Sequence, residues 1–319
     1  MGRFTGNSFK ITPILIQGKS KDEENIDFIS NIINNRLFSL DILPNAGWVS
    51  FQLANNRDFI DTKQPIQSLD LPDKTRVLPA TTLVDRLDNR LKNKLSPKFY
   101  SELPEKDRYI TIPTDYIFYN DNNKLFCLFS STYQRSVDIS IKDFLVNHPF
   151  AEYGFTINKN PTEFTIPSDM ILWVLYRNYE KKGEIDSNIL ISDVSLLDGR
   201  LKIPVSLQYA GKSTPEHLTE LKYSIAQNRI FTKVELTLKI NGDIFQFNLD
   251  TTGCVEFKPS MSEYCKESED INANLSKATH IYKAIIPTLK NTYQSDTQWF
   301  SHTRNDFIRK CADDCKKEL

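Results

Sequence analysis

Three charged residues in the C-terminal half are spaced like the working residues of a metal-dependent nuclease. Asp250 ends an alternating segment, and Glu256 and Lys258 follow on the next one. Two carboxylates can hold Mg²⁺, and a lysine can polarise a water molecule or a phosphate. Charged β-hairpins also produce such triples by chance. The pattern therefore leaves both a Mg²⁺-dependent nuclease and a structural hairpin open.

A second segment resembles the end of a phosphate-binding loop. Residues 210–214 are AGKST, but Ser206 stands where the pattern needs a glycine so that backbone N–H groups can wrap the phosphate. Pro215 also removes a donor from the first turn of the predicted helix that follows. The segment favours a helix cap over a nucleotide site.

Cysteine and histidine spacing predicts no metal site. Of five cysteines only Cys311 and Cys315 are close, one helical turn apart, and the four histidines are scattered. The odd cysteine count is typical of a reducing compartment and argues against a disulfide framework. We therefore expect a cytoplasmic protein, and outside the segments already named no spacing is typical of a metal site, a cofactor site or a catalytic centre.

The strongest candidate is a basic segment over residues 76–98. It holds six lysine or arginine residues and two aspartates, for a local charge of +4 in a chain whose net charge is −1. On a predicted helix over 80–95, Arg86, Arg90 and Lys94 form a basic stripe at i, i+4 and i+8. Such a surface binds duplex DNA by releasing counterions, without reading bases. The alternative is an ordinary solvated helix face.

The elements that would position this stripe are helices and strands in mixed order. Apolar periodicity predicts strands at 8–17, 45–54, 109–113, 115–120, 124–131, 230–240, 243–249 and 254–259, and a strand or extended arm at 200–209. It predicts helices at 23–38, 80–95, 141–150, 168–180, 214–228, 275–292 and 296–316. Short turns at Asp121-Asn122-Asn123 and at Asn241-Gly242 join neighbouring strands into hairpins. We therefore expect an α+β fold with antiparallel sheets, and no stretch is long enough to span a membrane.

Several segments together resemble the RdgC family of recombination-associated DNA-binding proteins. Residues 230–260 are similar to that family's hairpin region in Phe231-Thr232-Lys233-Val234, in Ile244, Phe245 and Phe247, and in Phe257-Lys258. Upstream, Gly47-Trp48-Val49, Arg76-Val77-Leu78-Pro79 and Trp173 resemble further family positions. The order and spacing of these motifs, over about 280 residues, carry the resemblance.

The resemblance implies a horseshoe-shaped α+β subunit that closes as a homodimeric ring around double-stranded DNA. It implies non-enzymatic, sequence-independent binding that restrains recombinase access, with a recombinase as an indirect partner and a nucleoid-associated location. It assigns residues 1–294 to an RdgC-like fold. The remaining residues, 295–319, become a C-terminal helical extension whose apolar face is supplied by Phe300, Phe307, Ile308 and Cys311.

The predicted DNA-binding residues fall into two groups. The basic segment supplies Arg76, Arg86, Arg90, Lys94 and Lys98. The resemblance adds an arm with Lys202, Gln208 and Lys212, which holds fewer lysines than the family pattern. Two alternatives stay open: the nuclease described above, and a protein-interaction module of mobile-element origin that uses the C-terminal extension.

Overall fold

The computed structural model describes residues 4, 9–41, 43–51, 62, 64–131, 142, 145, 150–200, 206–210, 215–263 and 271–318. The chain divides into two compact units, residues 1–159 and 160–319. Each unit combines helices with an antiparallel sheet, which confirms the predicted α+β class. The division lies between residues 159 and 160, and it does not coincide with the predicted boundary at residue 294.

The first unit is built on one antiparallel sheet, whose strand order is β2-β4-β5-β6-β1, with β3 beside β4 and β7 beside β1. Its strands are β1 (Phe9–Gln17), β2 (Ala46–Ser50), β3 (Leu69–Asp70), β4 (Arg76–Leu87), β5 (Tyr109–Asp121), β6 (Lys124–Ser131) and β7 (Thr156–Asn158). Its helices are α1 (Ile26–Asn34), α2 (Asn89–Lys94), α3 (Pro97–Glu102) and α4 (Phe150–Tyr153), with a 3-10 turn at Glu105–Arg108. The predicted helix over 141–150 lies mostly outside the described residues.

The core of this unit lies between α1 and one face of the sheet. Asn25 begins the helix by accepting a hydrogen bond from the Phe28 backbone N–H at 2.8 Å. The predicted apolar stripe then packs on side chains of four strands. The cluster includes Ile26, Ile29, Ile32 and Ile33 of α1 together with Ile14, Leu78, Tyr116, Phe118 and Cys127 of the sheet.

The predicted helix over residues 80–95 is wrong. Residues 76–87 form strand β4, and only 89–94 are helical. Every residue from Val77 to Leu83 is buried, so this stretch needs apolar or β-branched side chains on both faces of the sheet. Pro79 fits because it falls between the residues paired with β3 and those paired with β2. The spacing that resembles a helical period combines residues at the end of β4 with residues of α2.

Two threonine–aspartate hydrogen bonds, one buried and one half-buried, hold the register of β4 against β5. Thr81 lies opposite Asp115, and its hydroxyl donates to that carboxylate at 2.8 Å. Four residues further along β4, the pair is reversed: Thr111 donates to Asp85, also at 2.8 Å. A slip of one residue would leave both carboxylates buried without these donors, which is costly. The two predicted strands 109–113 and 115–120 are therefore one continuous strand.

The two predicted Asn-containing hairpins are confirmed. Asp121 pairs with Lys124 across a two-residue turn in which Asn122 and Asn123 have φ values of 48° and 58°. In the second unit, Asn241 and Gly242 turn the chain in the same way, with φ values of 51° and 94°. Positive φ at both central positions gives the turn whose twist matches that of paired strands.

The strands of the second unit run antiparallel to their neighbours, in the order β12-β11-β10-β8-β9. Its strands are β8 (Ile189–Arg200), β9 (Ser206–Ala210), β10 (Ile230–Ile240), β11 (Asp243–Asp250) and β12 (Val255–Phe257). Its helices are α5 (Ser168–Glu180), α6 (Pro215–Ala226), α7 (Ile271–His280), α8 (Ile286–Ser295) and α9 (Arg304–Glu318), with π-helical turns at Ile281–Ile285 and Trp299–Thr303. Helix α5 is buried all round from Met170 to Tyr176, so it forms the centre of this unit.

The C-terminal residues are tied to α5 by a reciprocal pair of hydrogen bonds. The indole N–H of Trp173 donates to Asp296 at 2.9 Å, and the indole N–H of Trp299 donates to Asp169 at 2.8 Å. Both indole rings are fully buried. Residues 297–318 are helical, as predicted, and they belong to the second unit.

Asp169 is the hub of this contact. Besides Trp299, its carboxylate accepts from the Tyr293 hydroxyl at 2.9 Å and from the Arg304 guanidinium. Burial and the hydrogen bond to Asp169 raise the pKa of Tyr293 well above its usual value, so the phenol stays protonated. Three donors from the C-terminal residues therefore converge on one carboxylate of α5.

The predicted apolar face of the C-terminal extension is confirmed in part. Phe307 and Cys311 are buried and Ile308 is half-buried, whereas Phe300 is 54% exposed. Helix α9 packs on α6, where Lys222 and Asp314 form an ion pair at 2.9 Å. Among the described residues, no helix combines the length and the apolar character needed to cross a membrane.

Replacing Asp169 by alanine should lower the free energy of unfolding by about 3 kcal/mol, because it strands an indole N–H, a phenol and a guanidinium together. Asp306→Ala is the matched control, since Asp306 is exposed and its ion pair with Arg309 is long, at 3.8 Å. The control should cost less than about 1 kcal/mol. Urea unfolding of both variants measures the difference, and equal losses would contradict the role of Asp169.

Candidate nucleic-acid interface

An arm of 21 residues, 88–108, leaves the first unit between β4 and β5, and we call it the basic arm. No residue of the arm is buried. Its base is closed where Leu87 pairs with Tyr109 and where the Asp88 backbone N–H donates to the Arg108 carbonyl at 2.8 Å. The β4–β5 ladder therefore holds both ends of the arm and leaves the rest in solvent.

Polar groups of the arm itself begin its two helices. The Asp88 carboxylate accepts from the backbone N–H groups of Arg90 and Leu91, which caps α2. The Ser96 hydroxyl accepts from the Phe99 backbone N–H, and Pro97 occupies the first position of α3. These caps explain why short helices form here without a core beneath them.

Arg108 holds the far end of the arm. Its guanidinium donates to the carbonyl oxygen of Ser101 at 2.7 Å and to that of Leu103 at 2.8 and 3.0 Å. It also lies 5.9 Å from the centre of the Tyr100 ring. A cation at the C-terminal end of α3 satisfies carbonyls that have no partner within the helix. Arg108 is thus committed to the structure of the arm.

Five basic residues between positions 86 and 98 have no acidic partner among the described residues. Residues 89–98 contain no aspartate or glutamate. None of the five basic side chains forms an ion pair within the part of the chain that the structure describes. Arg86 is half-buried. The other four are exposed: Arg90, Lys92, Lys94 and Lys98. Their charge is therefore available to an anionic partner.

The predicted spacing of the stripe is only partly right. Arg90 and Lys94 lie one turn apart on α2 and share a face. Arg86 lies on β4, opposite Ile110 of β5, so it does not continue that helical face. Lys98 belongs to the first turn of α3. The arm and its base bring these residues together, and they add Lys92, which the predicted stripe had left out.

Arg76 does not belong to this group. It starts β4, ten residues before Arg86, and an extended strand of that length covers about 33 Å. Its guanidinium makes a two-pronged contact with Asp27 at 2.6 and 3.0 Å and also donates to Ser68. Arg76 thus forms an ion pair that joins β4 to the first turn of α1, and its DNA contact stays a prediction.

Of the second predicted group, which comprises Lys202, Gln208 and Lys212, only Gln208 lies within the described residues. Lys202 and Lys212 lie outside the described residues, as do residues 211–214 of the GKST segment. Gln208 lies on β9, where its backbone pairs with Asp198 of β8.

Asp250 of the nuclease pattern shapes its own turn. One carboxylate oxygen accepts from the backbone N–H groups of Thr252 at 2.9 Å and Cys254 at 3.0 Å. The same oxygen accepts from the Thr252 hydroxyl. This carboxylate holds the connection between β11 and β12.

Glu256 and Lys258 contact different partners. Glu256 accepts from Lys233 at 2.8 Å and from Asn248 at 2.9 Å, while Lys258 pairs with Glu235 at 3.4 Å. No group of three or more His, Cys, Asp and Glu residues within the described ranges could hold a metal ion. The geometry therefore favours the structural hairpin over the metal site.

Cys311 and Cys315 are both buried on α9. Burial raises the pKa of Cys311 to about 11, so at neutral pH it is a thiol. Both side chains pack in the interior of the second unit.

Comparison with protein-family models gives no match for this chain, and a search among curated proteins gives none. The resemblance to the RdgC family therefore stays a prediction that rests on the quoted motifs.

Arg108→Gln should loosen the basic arm without unfolding the first unit, because it removes the donor to the Ser101 and Leu103 carbonyls. Amides of residues 88–108 should exchange about fivefold faster, which corresponds to about 1 kcal/mol. Lys106→Gln is the matched control, because Lys106 is exposed and its ammonium makes no hydrogen bond among the described residues. Hydrogen exchange read by mass spectrometry checks both; unchanged exchange in Arg108→Gln would contradict this role.

Proposed function

We propose that this protein binds double-stranded DNA without sequence preference through the basic arm, and that it is not an enzyme. One observation carries the proposal. Five basic side chains on the arm or at its base lack acidic partners among the described residues, although the whole chain has a net charge of −1. Positive charge is therefore concentrated over residues 89–98 of the arm, which hold four basic residues and no acidic one.

Phosphate contact explains this choice of residues better than base recognition. Lys92, Lys94 and Lys98 are flexible point charges that contact phosphates in many geometries. Each phosphate that is neutralised releases condensed counterions, so binding weakens as salt rises. Caps at Asp88 and Ser96 hold the backbone, and the charged side chains stay free to adapt.

The resemblance extends the proposal from the arm to the assembly. We propose that two copies form a homodimeric ring of horseshoe-shaped subunits around the duplex. A ring on DNA would restrain recombinase access and would be nucleoid-associated. The two antiparallel α+β units are compatible with this assembly.

Removing charge from the arm should weaken binding equally on unrelated sequences. In the variant Arg90→Gln/Lys94→Gln/Lys98→Gln, the slope of log K against log salt concentration should fall by about 0.9 for each lost contact, or about three units in all. Fluorescence anisotropy on two unrelated duplexes at several salt concentrations measures affinity and slope together.

The charge-matched control is Lys181→Gln/Lys182→Gln/Arg309→Gln in the second unit, where all three side chains are exposed. It removes the same charge and should keep most of the affinity and the slope. Equal losses in both variants would show that net charge alone matters and would contradict a specific role for the arm. Cleavage of supercoiled DNA with Mg²⁺ that disappears in Glu256→Ala would favour the nuclease.

A ring should retain closed circular DNA and slide off linear ends. We expect sedimentation to give a dimer. We also expect nicked circular DNA to keep bound protein through a high-salt wash. The same wash should remove the protein when a restriction enzyme has first cut the circle into linear DNA. Equal loss from both forms, or a monomer at micromolar concentration, would contradict the ring and leave the proposal for the arm standing.

A further inference from the structure

Phe99 is the most exposed large hydrophobic residue in the described part of the chain. Its side chain is 64% exposed, and it lies in the first turn of α3 directly after Lys98. The arm also carries the unpaired positive charge. An arm that served only as a solvated connection would have no use for an exposed aromatic side chain. A ring held in water forgoes the burial that stabilises other aromatic side chains.

The arm holds Phe99 in a fixed place. The Phe99 backbone N–H donates to the Ser96 hydroxyl, and the Arg108 guanidinium holds the carbonyls at the other end of α3. The backbone beneath the ring is therefore hydrogen-bonded at both ends of its helix. A fixed apolar side chain can enter a narrow space without first losing backbone freedom.

Charge complementarity identifies what would cover this ring. The residues just before Phe99, 89–98, hold four basic side chains and no acidic one, whereas the acidic residues of the arm lie at Asp88 and after Phe99, from Glu102 to Asp107. Once these cations contact phosphates, the ring is carried against the groove of the same duplex. The apolar surface within reach there is the face of a base pair, which is exposed when a base step opens.

From these observations we infer that Phe99 is a wedge that enters the base stack of the bound duplex and kinks it. This inference rests on the proposed DNA binding by the basic arm. Insertion is easiest at flexible pyrimidine–purine steps and at mismatches, where little stacking must be lost. The protein should therefore favour deformable or already unstacked duplex over stiff A-tracts, without reading any base.

The test compares Phe99→Ala with Phe300→Ala, because Phe300 is also exposed, at 54%, but lies in the second unit. The probe is a short duplex with a central mismatch and 2-aminopurine beside it, whose fluorescence rises when it is unstacked. Wild type and Phe300→Ala should raise the fluorescence at saturation. Phe99→Ala should lose most of the rise and about tenfold in affinity, and Phe99→Trp should restore both.

The salt slope separates this inference from the proposed function. Phe99→Ala should keep the slope of wild type, because phosphate contacts remain. A full fluorescence rise in Phe99→Ala would overturn the wedge and leave DNA binding intact. No binding of any duplex by wild type would overturn both. If Phe99→Ala changed sedimentation from dimer to monomer but kept the fluorescence rise, the Phe99 side chain would belong to a contact between two copies of the protein. That result would overturn the wedge.

Discussion

Two threonine–aspartate hydrogen bonds set the register on which the first unit depends. Thr81 with Asp115, and Asp85 with Thr111, place a donor and a carboxylate opposite each other on neighbouring strands. Because both carboxylates are buried, a shift of β4 against β5 would cost each of them its threonine donor. The observed alignment brings Leu87 opposite Tyr109, and residues 88–108 extend from the end of the two paired strands. The exposed position of the basic arm follows from a constraint buried several residues away.

The same ladder explains what the sequence could and could not predict. Hairpins at Asn122-Asn123 and Asn241-Gly242 and the stripe of α1 are local patterns, in which turn chemistry or period decides the structure. Strand β4 is different, because its apolar residues cover both faces and leave no alternation to detect. Its burial depends on neighbours that are distant in sequence, and Val84, Leu87, Leu91 and Leu95 imitate a helical stripe across its end.

The candidate site was predictable in charge and not in shape. The run without acid from 89 to 98 is visible in the sequence, and it holds Arg90, Lys94 and Lys98. The ion pair of Arg76 with Asp27 joins residues 49 positions apart, and no local pattern announces it. The exposure of Phe99 likewise needed the fold, since an aromatic residue between Lys98 and Tyr100 suggests a buried helix face as readily as an exposed one.

The three tryptophans are distributed so that each unit has its own fluorescence signal. Trp48 is buried in the first unit, and Trp173 and Trp299 are buried in the second. The basic arm contains none. Indole emission therefore reports the unfolding of each unit, and a chain that keeps only Trp48 or only the other two would let the units be followed separately. Since no indole lies on the arm, a ligand held there leaves the folding signal free of direct quenching.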